Sequence, residues 1–104
     1  MKYMVKVHEI ERYGIKEVLV ALCDPELIGK RLREGEVEFY VNPRFYGGEL
    51  IEEEKVKEHL GNATIANIIG KKSVELAMRL GFIDGENVMM IKGIPHAQMV
   101  LMFE

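Results

Sequence analysis

The stretch from Val18 to Cys23 is apolar at every position, and it restricts the possible folds more than any other part of the chain. A strand with one solvent-exposed face shows a polar residue at every second position, whereas an uninterrupted apolar run indicates a strand packed against other elements on both faces. The run therefore predicts a central strand of a sheet, with other elements packed on both sides.

Two other stretches show the alternation of half-buried strands. Apolar and polar side chains alternate from Lys2 to His8 and again from Glu36 to Val41. The 104 residues are 48% hydrophobic and 30% charged, which is enough for one core under a charged surface. We therefore predict one domain, residues 1–104.

The first two helix signals lie on either side of the second alternating stretch. Asp24 followed by proline is typical of a helix start, and it predicts a short helix from Pro25 to Arg33 that Gly35 ends. A second helix is predicted from Glu52 to Leu60, with Gly61 closing it in the left-handed conformation.

A longer helix is predicted from Ala63 to Leu80, because its apolar residues follow helical spacing, with Gly70 as a point where it could divide. Under this interpretation no strand precedes Gly70-Lys71-Lys72-Ser73, so that stretch is not a nucleotide-binding loop.

The C-terminal part contains two apolar runs, Val88 to Lys92 and Ala97 to Phe103, which predict a hairpin with a loop from Gly93 to His96. The Ile94-Pro95 bond in this loop could be cis. Taken together, the pattern predicts an α+β fold: a mixed or antiparallel sheet of about five strands with helices packed against it, ending in a C-terminal β-hairpin.

His96 and Gln98 are the first candidate site residues. Strand alternation places both on one face, opposite Ala97 and Met99, and an imidazole beside an amide can hold a phosphate, a carboxylate or a base edge. The structural alternative, in which His96 hydrogen-bonds a carbonyl and fixes the hairpin, has equal weight.

A second candidate segment contains Arg44, Tyr46, Gly47 and Gly48, where a glycine pair lets a ligand approach the backbone and could form an anion nest. The alternative is a tight turn in which Phe45 is buried and Tyr46 is half exposed.

Thr64 and Asn67 form the third candidate segment, because they lie one turn apart at the start of the predicted long helix. Local capping or simple surface exposure explains the same residues.

A basic patch interleaved with aromatic residues would suit single-stranded RNA, although neighbouring glutamates favour a salt-bridged surface. The members of this patch are Lys30, Arg31, Arg33, Arg44, Tyr40, Phe45 and Tyr46.

Charge and cysteine usage limit the classes of partner. The net charge of -3 does not attract polyanions overall, so RNA would need a local patch. A single cysteine and no secretory leader indicate a cytoplasmic protein, and no apolar run is long enough for a membrane span. Scattered histidines give no metal or cofactor site, and Cys23 at the end of a buried strand is more often inert than a nucleophile paired with His96.

Three stretches together resemble the signature of the archaeal family DUF424, a domain of unknown function. They are Phe45-Tyr46-Gly47-Gly48-Glu49, Ala63-Thr64-Ile65-Ala66-Asn67 with Gly70, and Gly93-Ile94-Pro95-His96-Ala97-Gln98. The resemblance implies a small cytoplasmic single-domain protein without an assigned reaction. We expect the three stretches to converge on one groove, since loops and element ends are where ligands usually determine residue choice.

Our leading hypothesis is a binding module for a ligand, RNA or a ribonucleoprotein. One alternative is a small-molecule enzyme that uses His96 as general acid or base, oriented by Asp24 or Glu49. The other is a structural homodimer built through the methionine-rich hairpin, which contains Met89, Met90, Met99 and Met102.

Overall fold

The computed structural model describes residues 1–101, which form an α+β domain around a mixed six-stranded sheet. The strand order is β5-β1-β2-β6-β8-β7, and a separate two-stranded hairpin is made by β3 and β4. The elements are β1 (Tyr3–Arg12), β2 (Ile15–Cys23), β3 (Arg31–Glu34), β4 (Val37–Tyr40), α1 (Pro43–Tyr46), β5 (Glu49–Ile51), α2 (Glu53–Gly61), β6 (Ile65–Ile69), α3 (Lys71–Arg79), β7 (Val88–Ile91) and β8 (Ile94–Val100).

The predicted central strand is confirmed. β2 pairs with β1 on one side and β6 on the other, and Val20 to Cys23 are almost inaccessible to solvent. Val20 and Leu22 belong to the core that also includes residues of α2 and α3, whereas Ala21 and Cys23 belong to a second core beneath the β3–β4 hairpin and α1. The sheet is mixed because the β2–β6 pair is parallel and the other pairs are antiparallel.

The helix predicted from Pro25 to Arg33 is wrong. Only a single 3-10 turn forms at Pro25–Leu27, and the chain then enters β3. Gly29 adopts a φ of 85° and donates its amide to the Val41 carbonyl, which joins the entry to β3 to the end of β4. Asp24 makes no side-chain hydrogen bond to the turn that follows it, so the expected capping interaction is absent there.

Asp24 caps a different helix. Its carboxylate accepts hydrogen bonds from the Lys72 amide (3.1 Å), the Ser73 amide (2.8 Å) and the Ser73 hydroxyl (2.7 Å) at the start of α3. A carboxylate at this position satisfies amides that have no partner within the helix and lies at the positive end of its dipole. The end of β2 is thereby joined to α3.

The long helix predicted from Ala63 to Leu80 is also wrong, because its first part is the strand β6 and only Lys71–Arg79 is helical. Ile65 and Ile69 are four residues apart, which suits a helix, but they are also two strand periods apart and β-branched. Gly70 has a φ of 117°, and a Cβ atom there would collide with the Asp24 carboxylate. A strand does precede Lys71 after all, yet Asp24 already occupies the helix start where a phosphate would bind.

The C-terminal hairpin is confirmed, although its loop is shorter than predicted. Lys92 and Gly93 form a two-residue turn with φ angles of 52° and 76°, as in the type I′ turns of tight hairpins. The Ile94–Pro95 bond is trans. The last part of the predicted second strand, residues 102 and 103, lies outside the described residues.

The second helix is confirmed as α2, but the predicted left-handed Gly61 is wrong, since this glycine is the last helical residue. The Asn62 amide reaches the carbonyls of Glu58, His59 and Leu60, which ends the helix without a left-handed residue.

The short strand β5, paired with Tyr3–Val5, gave too weak a pattern to predict. Within residues 1–101, no helix has the length and apolar character that crossing a membrane requires.

Replacing Asp24 by alanine tests whether its cap holds the fold together. We expect Asp24→Ala to lower the free energy of unfolding by about 2–4 kcal/mol, because two amides and a buried hydroxyl lose their acceptor. Chemical denaturation measures this loss. Asp84→Ala is the matched control, since Asp84 precedes a 3-10 turn without a side-chain cap bond. A loss at Asp24 no larger than at Asp84 would contradict the interpretation.

Candidate functional site

One side chain from each of the three candidate segments meets at Asn67. The Asn67 Oδ1 atom accepts a hydrogen bond from the Tyr46 hydroxyl at 3.1 Å and from the His96 Nε2–H group at 2.7 Å. We call these three residues the polar cluster. It forms although its members are separated by about 20 to 30 residues of chain.

Strand register determines the positions of Asn67 and His96 in the polar cluster. β6 and β8 are antiparallel neighbours in which Asn67 lies opposite Gln98 and Ile69 lies opposite His96. Residues at every second position share a face, so Asn67, His96 and Gln98 all lie on the face that carries the second core. The predicted placement of His96 beside Gln98 is therefore confirmed.

The helix α1 supplies the third member. The Asn42 side chain accepts a hydrogen bond from the Arg44 amide, and Pro43 occupies the first turn, so this short helix starts at a defined residue. Tyr46 is 2% exposed, whereas Phe45 is only partly buried, which is the reverse of what the tight-turn alternative predicted for this pair. The reason is that Tyr46 reaches inward to Asn67, while Phe45 stacks on His8 with ring centroids 5.0 Å apart.

Burial fixes the protonation states in the polar cluster. It lowers the pKa of His96 below its usual 6.5, so the imidazole is neutral at pH 7. Because Nε2 carries the proton that is donated to Asn67, the Nδ1 lone pair remains as a hydrogen-bond acceptor. Burial, and secondarily the nearby Cys23, raise the pKa of Tyr46, so its hydroxyl remains a donor.

The polar cluster lies at the border of an uncovered part of the sheet. The β3–β4 hairpin packs through Phe39 against His96, with ring centroids 4.9 Å apart, whereas positions further along β8, β6 and β2 on the same face are exposed or only half-buried. We call those positions the open face. Gln98 and Val100 are exposed there, Leu19 and Ile65 are half-buried, and all four share the face of Asn67.

Two cations stand on the α1 side of this region. Arg44 is exposed, and its carbonyl accepts a hydrogen bond from the Lys6 ammonium at 2.9 Å. The neighbouring His8 donates its Nε2–H group to the Phe45 carbonyl at 2.8 Å. These contacts hold α1 against β1.

Gly47 and Gly48 have a packing reason to be glycine. A Cβ atom at Gly47 would collide with the Pro43 carbonyl, and one at Gly48 would collide with the Val5 carbonyl. The Gly47 amide is donated to Pro43 at 2.8 Å, which ends α1 before the chain pairs with β1. That amide is therefore already used within the protein.

Thr64 does not join the polar cluster. It precedes β6, and its hydroxyl accepts from the Val18 amide (2.9 Å) and donates to the Val18 carbonyl (3.2 Å). By strand alternation its side chain faces away from Asn67. Thr64 instead borders a cavity of about 360 Å³ beside the β1–β2 turn.

Catalytic partners expected for His96 take other positions. Asp24 is engaged at α3, and Glu49 is exposed on β5 beyond β1, so the amide of Asn67 rather than a carboxylate orients the imidazole. Burial raises the pKa of Cys23 to about 12, which leaves this thiol protonated and unreactive. Among residues 1–101, no three His, Cys, Asp or Glu side chains are arranged to hold a metal ion.

Arg31, on the β3–β4 hairpin, is paired within the hairpin. The Arg31 guanidinium lies over the Tyr40 ring, 4.1 Å from its centroid, and forms an ion pair with Glu38 at 3.1 Å. For Arg31 this is the salt-bridged arrangement that was the alternative to a basic aromatic patch. Arg44, on α1, stands apart from it.

Sequence reasoning missed three residues that build this region. Phe39 packs on His96, and Leu19 and Ile65 continue the surface around Asn67. The signal was present in β6, where Ile65, Asn67 and Ile69 follow the two-residue spacing of one strand face, but the segment was interpreted as a helix.

The fold and the polar cluster together define a class: a small α+β domain with a mixed sheet and a hydrogen-bonded cluster beside an uncovered sheet face. The family model described as "Protein of unknown function (DUF424)" matches residues 12–102, and the chain belongs to this family. Its structure is similar to the crystal structure of an uncharacterized conserved protein from Methanopyrus kandleri, with a TM-score of 0.79 and 22% sequence identity over 100% of this chain and 96% of the other. No curated protein sequence matches.

The pKa of His96 gives a pH dependence with a defined sign. Its folded-state pKa lies below the unfolded value of 6.5, so the unfolded chain binds the proton more readily. We therefore expect the His96 contribution to lower stability as the pH falls from 6.5 through the folded pKa, and to have no such effect above 6.5.

Urea denaturation at several pH values tests this contribution. His96→Gln should reduce the decline in unfolding free energy below pH 6.5. The control His59→Gln on α2 should show the same contribution from His96 as wild type. The loss of unfolding free energy on acidification would be equal in wild type and His96→Gln if burial did not oppose protonation of His96.

Proposed function

We propose that this protein is a binding module whose open face takes single-stranded RNA. The observation that carries the proposal is the hydrogen-bonded polar cluster, which holds a neutral imidazole at the border of the open face. The His96 Nδ1 acceptor and the exposed Gln98 amide offer the donor and acceptor types that base edges require.

The shape of the region supports an extended, flat ligand. Leu19, Ile65 and Val100 provide a broad apolar surface on a sheet, and sheets commonly bind single-stranded RNA by laying bases across such a surface. Phe45 and His8 form a stacked pair beside it, where a further ring can extend the stack.

Phosphate binding would depend on local charge, because the chain as a whole carries -3. Lys6 and Arg44 are cations beside the Phe45–His8 stack, since Lys6 contacts the Arg44 carbonyl and Arg44 directly precedes Phe45. Two phosphate contacts would give a slope of log K against log salt of about -1.4 for single strands. The proposal therefore predicts binding that is modest in affinity and moderately sensitive to salt.

Binding accounts for the polar cluster better than catalysis does. An imidazole oriented by an amide serves as a fixed hydrogen-bonding group, whereas a nucleophile or base would need the activated partners that Cys23 and Asp24 do not provide. A free buried thiol also suits a reducing compartment, so we place the protein in the cytoplasm.

Fluorescence anisotropy with a labelled mixed-sequence RNA oligonucleotide tests the proposal. We expect Arg44→Ala to weaken binding about fivefold, as for loss of one charge-assisted contact, and to reduce the salt slope by about 0.7. Gln98→Ala should weaken binding without changing that slope, since an amide carries no charge. Both side chains are exposed, so neither change should unfold the protein.

Lys57→Ala is the matched control, because this exposed lysine lies on α2, on the other side of the sheet. It should leave the affinity close to that of wild type. Equal binding by wild type and the double variant Arg44→Ala/Gln98→Ala would remove the proposal. A double-stranded RNA competitor that displaces the probe as well as single strands do would also oppose it.

A further inference from the structure

The β1–β2 turn carries an exposed aromatic ring on a left-handed backbone. Tyr13 has a φ of 52°, a conformation that costs stability in a residue with a large side chain, and it is 99% exposed. Two-residue hairpin turns ordinarily place asparagine or aspartate before the glycine. At this exposure the ring adds no packing to the core, and it is free to contact a ligand.

Tyr13 borders the cavity beside this turn. The cavity has a volume of about 360 Å³, near the lower end of the range for small-molecule sites. Tyr13 and Ile15, which is 63% exposed, give it an aromatic and apolar lining. The other lining residues are Arg12, Lys16, Glu17 and Thr64. This combination suits a flat ring with a polar edge and an attached anionic group.

The register of the hairpin shows which backbone groups of β2 point away from β1. A two-residue turn makes Arg12 and Ile15 a hydrogen-bonded pair, so Lys16 and Val18 direct their backbone groups to the β6 side. The bonds of Val18 agree with this register. Its amide donates to the Thr64 hydroxyl, and its carbonyl accepts from the Thr64 amide.

The unpaired backbone at Lys16 limits what the cavity can hold. Pairing of β2 with β6 begins at Leu19, and in the part of the chain that the structure describes no loop residue bonds the Lys16 amide or carbonyl. An added strand is held by a ladder of successive pairs, but the next groups along this edge, those of Val18, are already bonded. One donor beside one acceptor instead matches the edge of a planar heterocycle such as a nucleobase.

The charges around the cavity fit a phosphate attached to that ring. Glu11 lies across the strand pair from Lys16, yet the Lys16 ammonium forms no ion pair within residues 1–101. Glu17 is paired with the Arg12 Nε atom at 2.8 Å, which leaves the two terminal guanidinium nitrogens as donors. Both cations have the chemistry that binds phosphate.

We propose that this cavity binds a nucleotide. The base lies against Tyr13 and Ile15, its polar edge exchanges hydrogen bonds with the Lys16 backbone, and the phosphate contacts the Lys16 ammonium. Stacking on the tyrosine supplies the main attraction, because every base has a π-face, and the backbone groups orient the ring. The cavity shares no residue with the open face. A free nucleotide and one nucleotide of an RNA strand both offer this chemistry.

Titration of the ¹⁵N-labelled protein with adenosine monophosphate, followed by NMR, tests the site. The amide signals of Tyr13 and Lys16 should shift along one binding curve with a dissociation constant below about 1 mM. Tyr13→Asn should weaken binding about tenfold, since it removes the ring and suits the turn. Lys92→Asn is the matched control, because Lys92 occupies the same position of the β7–β8 turn with the same φ of 52°.

Lys16→Ala separates the phosphate contact from the stacking contact. It should weaken binding of adenosine monophosphate about threefold and leave binding of adenosine unchanged, because adenosine carries no phosphate. An equal loss for both ligands would contradict the phosphate contact. The proposal is overturned by unshifted Tyr13 and Lys16 signals at about 10 mM adenosine monophosphate, or by equal affinity of Tyr13→Asn and wild type.

An oligoadenylate RNA identifies the source of the nucleotide. If Tyr13→Asn weakens oligoadenylate binding as much as it weakens adenosine monophosphate binding, the cavity takes one nucleotide of a strand. If it weakens only adenosine monophosphate binding, the ligand is a free nucleotide. Tyr13→Asn reports on the cavity, whereas Arg44→Ala/Gln98→Ala reports on the open face, so the failure of one site is distinguishable from the failure of the other.

Discussion

The carboxylate of Asp24 is the contact on which the arrangement of the rest of the chain depends. It lies at the end of β2, yet its three hydrogen bonds go to the first turn of α3, 48 and 49 residues further along. Gly70 leaves the space that the carboxylate occupies. Because β6 ends at Ile69, directly before Gly70, this contact fixes where the parallel neighbour of β2 stops and where the helix on the other core begins.

The polar cluster follows from that constraint. With β6 held beside β2, Asn67 lies opposite Ala21 on one side and Gln98 on the other, in the middle of the sheet. An amide side chain at such a position needs partners, since an unsatisfied buried oxygen is costly. Tyr46 and His96 supply them, and each comes from an element that packs on the same face.

The sequence alone was sufficient where one strand or turn carried its own signal. The apolar run of β2, the alternation around His96 and Gln98, and the C-terminal hairpin were all predicted. The prediction for the β6 segment failed because the spacing of Ile65 and Ile69 suits both a helix and a strand. Pairing with β2 and β8 determines that the segment is a strand. The prediction for Asp24 failed for a related reason. An Asp-Pro pair predicts a cap on the next helix, and no local pattern reveals that the carboxylate accepts from an amide 48 residues further along.

The geometry around His96 bears on the choice between binding and catalysis, and it is the ground on which we propose binding. A catalytic imidazole is usually polarised by a carboxylate or paired with a nucleophile, and its pKa is adjusted to exchange a proton near neutral pH. Here an amide orients the ring, burial lowers its pKa, and the adjacent thiol and phenol are held in their protonated forms. Every titratable group around Asn67 is thereby fixed in one state at neutral pH. A hydrogen-bonding pattern that does not change supports the proposed binding role, in which the open face would give the ligand access.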